Sequence, residues 1–306
     1  MKNAFHHAVI RFIFFGNYFY GICAVALSIE ASLQQLYPLN DWLYYLLVFC
    51  ATILYYTKAY ITEVTVETTN KRTNWYIQFR KWVFISQIML TVIVATGGGY
   101  LAYRYWHHLL QQPLSSWLLI FIFPVTALLY YGFNHHKFGR FSLRNSGWLK
   151  PFVIGFAWAG LVTVYPLLFS CMERGVDFQP TLVGAWFFIK NFMFITVLCI
   201  MFDIKDYAVD YNRQLKTFVV NAGLRKTIFY IIIPLCVVGL ASFILFALAL
   251  RFHPMKIVIN IIPFVTLIWV AWSMHQRKSI LYYLFIIDGL MLVKALCGSL
   301  AMLLFR

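Results

Sequence analysis

Acid is what this chain has least of. Ten aspartates and glutamates stand among 306 residues, against 25 lysines and arginines, and charged residues of every kind make up only 11%. That scarcity excludes the solvated surface that a soluble domain of this length needs. Cysteine is also sparse, and Cys23, Cys50, Cys171, Cys199, Cys236 and Cys297 show neither CxxC spacing nor histidine partners. A disulfide framework and a structural zinc site are thereby excluded, and the cysteines are expected as small core residues. The basic excess gives a formal net charge of +15. Its lysines and arginines are spread over short connections rather than gathered on one surface, which excludes a nucleic-acid interface.

What the chain has instead is apolar length. Hydrophobic residues make up 62% and aromatic residues 20%, the composition of an integral membrane protein. Apolar runs of roughly 20 residues predict nine spans, near 10–30, 42–62, 82–102, 115–133, 149–170, 181–202, 226–250, 255–273 and 279–304. The fold expected is an all-α bundle of nine transmembrane helices, with 1–306 as one membrane domain. The first span, which carries Arg11 and Asn17, is too long and too polar for a cleaved signal peptide and is expected to face protein or an aqueous mouth.

Basic residues set the orientation. Lys71, Arg72, Arg80 and Lys81 follow the second span, Lys137, Arg140, Arg144 and Lys150 the fourth, Lys205, Arg213, Lys216, Arg225 and Lys226 the sixth, and Arg277 and Lys278 the eighth. The alternate connections hold only Arg104, Arg174, Arg251 and Lys256. The amino terminus is therefore expected in the cytoplasm. On this scheme Glu30, Asp41, Glu173 and Asp177 lie outside.

Half of the acids fall in two cytoplasmic segments. Asp203, Asp206 and Asp210 leave the sixth span at three- and four-residue spacing, which stacks them on one helix face. Like charges at that spacing repel unless a hard cation sits among them, and magnesium takes oxygen ligands while leaving room for substrate phosphates. The alternative is a solvated helix end whose acids pair with Lys205, Arg213 and Lys216. Glu63 and Glu67 stand four apart after the second span, with a helix end balanced by neighbouring bases as the equal alternative. The two acidic segments lie four helices apart, a spacing consistent with duplication of a four-helix unit, spans one to four and five to eight, with a ninth helix added.

The connection after the fourth span carries Asn134, His135, His136, Lys137, Arg140 and Arg144. Lys137 and Arg140, with Lys216, can neutralise the oxygens of a diphosphate, although positive-inside topology alone would also put bases there. His135 and His136 are adjacent, which is not metal-ligand spacing on a helix. Lys58, Lys190, Asp288 and Lys294 fall within or near the ends of apolar spans. Lys190 and Asp288 are expected to pair, as a structural contact or on a transport path. The run Gly97–Gly99 lacks the lysine of a phosphate loop and is expected to allow close helix packing.

The residues Asp203, Asp206 and Asp210, followed by Lys216 and Thr217, together with the stretch Leu129–Phe133 leading to Lys137 and Arg140, resemble the UbiA-type intramembrane prenyltransferases. The resemblance extends over nearly the whole chain as a plan of nine helices with cytoplasmic acidic motifs after spans two and six. The first motif departs from it: Thr57 to Glu67 carries Glu63 and Glu67 where the family has aspartates, with Asn70 and Arg72 similar to the motif's tail. The glycine that the family has before the lysine of its second motif is also missing.

The resemblance implies magnesium-dependent transfer of a polyprenyl group from its diphosphate to an aromatic or other lipophilic acceptor, at the cytoplasmic face of a bacterial inner membrane. It implies Asp203, Asp206, Asp210, Glu63 and Glu67 as metal ligands, Asp206, Asp210 and Lys216 as catalytic residues, and Lys137, Arg140, Lys216 and Arg72 on the diphosphate. Two other readings stay open: a catalytically degenerate relative that binds a lipid diphosphate or a partner, and a transporter of ions or small solutes.

Overall fold

The computed structural model describes residues 2–62, 71–131, 133–135, 139–141, 147–212, 214, 216–276 and 278–305. It is an all-α membrane protein with one short two-stranded ribbon. Its main helices are α1 (Lys2–Phe15), α2 (Tyr18–Gln34), α3 (Trp42–Thr62), α4 (Lys71–Gln78), α5 (Arg80–Arg104), α6 (Trp106–Gln111) and α7 (Leu114–Tyr131). A small antiparallel pair follows, β1 (Phe133–His135) with β2 (Gly139–Phe141). Then come α8 (Lys150–Glu173) and α9 (Leu182–Asp206), the short α10 (Tyr207–Asn212) and α11 (Phe218–Ala222), and α12 (Leu224–Ala249), α13 (Pro254–Ser273) and α14 (Ile280–Leu304).

Among the described residues, α5, α8, α9, α12, α13 and α14 are long and apolar enough to cross a membrane. A seventh span is possible if α1 and α2 count as one, bent by 64° between them. Helices α3 and α7 occupy the other two expected places, α7 with a shorter apolar stretch. The first apolar run is thus not one straight helix. Asn17 sits at the break in the left-handed region, with φ 66°.

That break is held from outside the run. A helix that stops inside a bundle leaves carbonyl groups unpaired, at a cost comparable to a lost hydrogen bond. The carbonyl of Phe15 accepts from Tyr76 Oη at 2.7 Å and from Arg72 Nη2 at 3.2 Å. Asn17 Nδ2 donates to Thr57 Oγ1 and Tyr76 Oη, each at 3.0 Å, and Asn17 Oδ1 accepts from Arg72. Helix α4 therefore fastens the bend.

Among the described residues, three helices carry wider π turns, at Gly160–Val164, Thr227–Ile232 and Tyr283–Ile287. The first two precede Pro166 and Pro234 closely, where the proline ring removes a donor and crowds the preceding turn. The third has no proline after it. There Asp288 N donates to Tyr283 O at 3.2 Å, and the extra residue moves Asp288 out of regular helical register.

Helix α9 is the central element and α5 is the peripheral one, with nearly all of its apolar surface left outward. The main core joins Leu27, Trp158, Met201, Leu267, Ile287 and Met291 from α2, α8, α9, α13 and α14. All six cysteines are free, four of them buried, as small core residues would be. Of the glycine run, Gly97 packs against Leu47, while Gly98 and Gly99 have open space where a Cβ would stand. Close packing there falls to one glycine rather than three.

Candidate functional site

The acid-bearing end of α9 opens into a cavity of about 230 Å³. Its polar wall is made by Arg72, Lys150, Asp203 and Asp288, and its aromatic wall chiefly by Tyr20, Tyr56 and Trp158. Each group arrives from a different element. Asp203 ends the regular part of α9, where the chain tightens into a 3-10 turn at Ile204–Asp206. Lys150 stands at the amino end of α8, Asp288 after the π turn of α14, and Arg72 in α4 at the fastened bend.

Asp203 is buried and accepts from Lys150 Nζ at 2.5 Å through Oδ1, while its Oδ2 meets no hydrogen-bond partner among the described residues. Asp288, also buried, accepts from Tyr20 Oη at 2.7 Å. Tyr20 stacks on Tyr56 with centroids 4.6 Å apart, and Trp158 meets Tyr20 edge-on at 6.5 Å and donates its indole N–H to Tyr56 Oη. The guanidinium of Arg72 lies 4.6 Å from the centre of the Tyr60 ring. Burial disfavours its charge, but Tyr60, Tyr76, Tyr20 and Asp288 together more than offset that, so its pKa is raised. It stays a cation.

The three acids of the sequence motif part company here. Asp203 lines the cavity, whereas Asp206 is about half exposed (49%) and pairs with Lys205 at 3.0 Å. Asp210 lies one turn further along, in α10, with its carboxyl pKa raised by burial and by the charges of Asp206 and Asp203. Pairing of the motif's acids with bases, the bland expectation, holds for Asp206 through Lys205; among the described residues Lys216 makes no such pair, and Arg213 lies outside them. Lys216 is exposed, and its backbone packs on Gly147, next to Thr217, whose Oγ1 caps α11 by accepting from Val220 N at 3.4 Å.

Arg72 does reach the cavity, yet it also bonds Phe15 O and Asn17 Oδ1, so it serves the bend as well. Glu63, Glu67 and Lys137 lie outside the described residues, as do Asn70, His136, Arg144 and Arg213. Arg140 is described as backbone only, in register opposite Asn134. Among the described residues, no three of His, Cys, Asp and Glu come together to hold a metal. Asp203 Oδ2 is a hard donor of the kind magnesium takes, but the described carboxylates alone do not complete a set.

Two expectations from the sequence are corrected. Lys190 and Asp288 do not pair: Asp288 belongs to Tyr20 at the cavity, while Lys190 stands 4.0 Å from Glu30. Glu30 is not an outer-loop acid. It is buried within α2 and accepts from Lys294 Nζ at 2.6 Å. The reason is length: the bend at Asn17 displaces α2 toward its carboxyl end, so that helix continues to Gln34 and carries Glu30 inside the bundle.

Lys150, Asp288, Tyr20, Tyr56 and Trp158 were not singled out as site residues by sequence spacing. Only Asp288 carried a usable signal, as an acid inside an apolar span. Comparison with protein-family models, with curated proteins and with solved structures finds no match.

Proposed function

We propose that this protein binds a polyprenyl diphosphate in the cavity and transfers the prenyl group to an aromatic or other lipophilic acceptor. One observation carries the proposal: Arg72 and Lys150 share a single cavity with the aromatic faces of Tyr20, Tyr56 and Trp158. Ionisation of an allylic diphosphate breaks its C1–O bond, and the electron pair leaves on the diphosphate oxygen. Arg72 and Lys150 favour that charge through charge-assisted hydrogen bonds. The allylic cation left behind is stabilised by aromatic faces where water is scarce. The acceptor then bonds to C1 and releases a proton, for which Asp288, oriented by Tyr20, is the carboxylate at hand.

The proposal takes the chain as nine spans, counting α3, α7 and the bent pair, with its amino terminus inside and Asp203 toward the cytoplasm of a bacterial inner membrane. The alternation of basic connections supports this orientation. Magnesium belongs to the proposal as the cation that Asp203, Asp206 and Asp210 would hold only together with Glu63 and Glu67, and it would supply charge neutralisation to the departing diphosphate. With this orientation the basic connections that carry Lys137, Arg140 and Lys216 would add positive charge on the cytoplasmic side.

A second reading, binding without turnover, is favoured by one specific feature. Asp203, the motif acid inside the cavity, is already neutralised by Lys150. The test is binding of a labelled prenyl diphosphate to purified protein in detergent, with and without magnesium, followed by diphosphate release on addition of aromatic acceptors. Binding with release supports transfer. Binding without release across a panel of acceptors selects the second reading. Equal binding by wild type and a Trp158→Ala, Tyr56→Ala double variant overturns the cavity as the site for either.

A further inference from the structure

At the other end of α9 from Asp203 lies a second group of buried charges. Glu30 (1% exposed side chain), Lys294 (7%) and Lys190 (12%) converge from α2, α14 and α9. The carboxylate is given almost wholly to one lysine: Lys294 Nζ sits 2.6 Å from Oε2 and Lys190 Nζ 4.0 Å from Oε1. Gly298 makes the room, since a Cβ there would meet Glu30 Oε1 at 2.6 Å. Among the described residues the Lys190 side chain makes no hydrogen bond; beside the distant Glu30 carboxylate it meets the faces of Phe187 at 4.4 Å and Trp186 at 5.2 Å.

Two lysines thus share one carboxylate inside the apolar bundle. Lys190 lies about 12 Å along the axis from Leu182, at 1.5 Å per residue, where a lysine that has only a distant share of one carboxylate is poorly compensated. Beside it is a cavity of about 150 Å³ between α9, α12 and α13, lined by Lys190 together with Trp186, Leu235, Gly239, Phe264 and Leu267. Ile189 and Val238, which also line it, are 53% and 60% exposed, so it opens on the apolar flank of the bundle.

We propose that this cavity binds the carboxylate of a long-chain fatty acid, which pairs with Lys190 while the alkyl chain leaves through the lipid-facing mouth. A carboxylate balances the group, two anions with two cations. Its own slender headgroup can reach Lys190 from the bilayer side, whereas a phospholipid phosphate stays at the membrane surface. The site is separate from the Asp203 cavity and does not depend on the function assigned to it.

The experiment is equilibrium binding of radiolabelled palmitate to the full-length protein in non-ionic detergent, with hexadecanol, methyl palmitate and phosphatidylglycerol as competitors. The expected result is saturable binding of one palmitate per chain, weakened at least tenfold by Lys190→Met and displaced by neither neutral analogue. Lys190→Met leaves Glu30 and Lys294 as a matched pair, so the variant is expected to melt no lower than wild type. Gly239→Leu, which fills the cavity without touching a charge, is expected to weaken palmitate binding as well. Displacement by hexadecanol at equal concentration, competition by phosphatidylglycerol at equal concentration, or unchanged affinity in both variants would overturn the assignment.

Discussion

Replacing Asn17 by alanine is expected to remove a large share of the stability held at the bend between α1 and α2. The side chain makes three contacts there: Nδ2 to Thr57 and to Tyr76, and Oδ1 from the buried Arg72. Each neutral hydrogen bond contributes about 1 kcal/mol and one to a charged group about 2 kcal/mol. Alanine at φ 66° adds a backbone penalty of about 1 kcal/mol that glycine escapes. With partial relaxation the loss is about 4 kcal/mol, which for a chain of this size lowers the melting midpoint by about 6 °C. The assay is thermal unfolding in detergent, followed by loss of the monodisperse peak in size-exclusion chromatography, for wild type, Asn17→Ala, Asn17→Gly and Asn17→Asp. Glycine should melt roughly 1–2 °C above alanine because it keeps the left-handed conformation at little cost. Aspartate should lie nearest wild type, since it keeps the acceptor for Arg72. An alanine variant at or above glycine, or a loss under 1 °C in all three variants, would refute the account of the bend.

Two more outcomes follow from the charged end of α9. Lys150→Met leaves the buried carboxylate of Asp203 without its cation; because Lys150 is about one-third exposed, the expected loss is about 2 kcal/mol, less than for a fully buried pair, and the Lys150→Met, Asp203→Asn double variant should recover most of it in the same thermal assay. Asp210 has its pKa raised, by burial first and then by Asp206 and Asp203. Such a group favours the fold below its unfolded pKa and loses that contribution as pH rises through the folded value. Asp210→Asn should therefore gain on wild type in melting midpoint between pH 4 and pH 8, and a difference independent of pH would count against the shift.

The sequence determined the class of this protein and the places of its apolar helices. Runs of about 20 apolar residues have few solutions in a bilayer, because every backbone group must be paired within the segment. It also announced the acids at the end of α9, since three carboxylates in so acid-poor a chain stand out by composition alone. Tertiary structure decided which acids work together. Helical spacing put Asp203, Asp206 and Asp210 on one face, but the helix tightens into a 3-10 turn after Asp203, and Asp203 lines the cavity while Asp206 is about half exposed beside Lys205. Partners distant in sequence completed the polar wall, Lys150 on Asp203 and Tyr20 on Asp288, across 53 and 268 positions. No local pattern encodes such pairings, because a membrane helix is apolar all round and its periodicity does not say which side faces which neighbour. The same holds for Glu30. Only the bend at Asn17, fixed by Arg72 and Tyr76 from another helix, carried it from an expected loop into the interior beside Lys294.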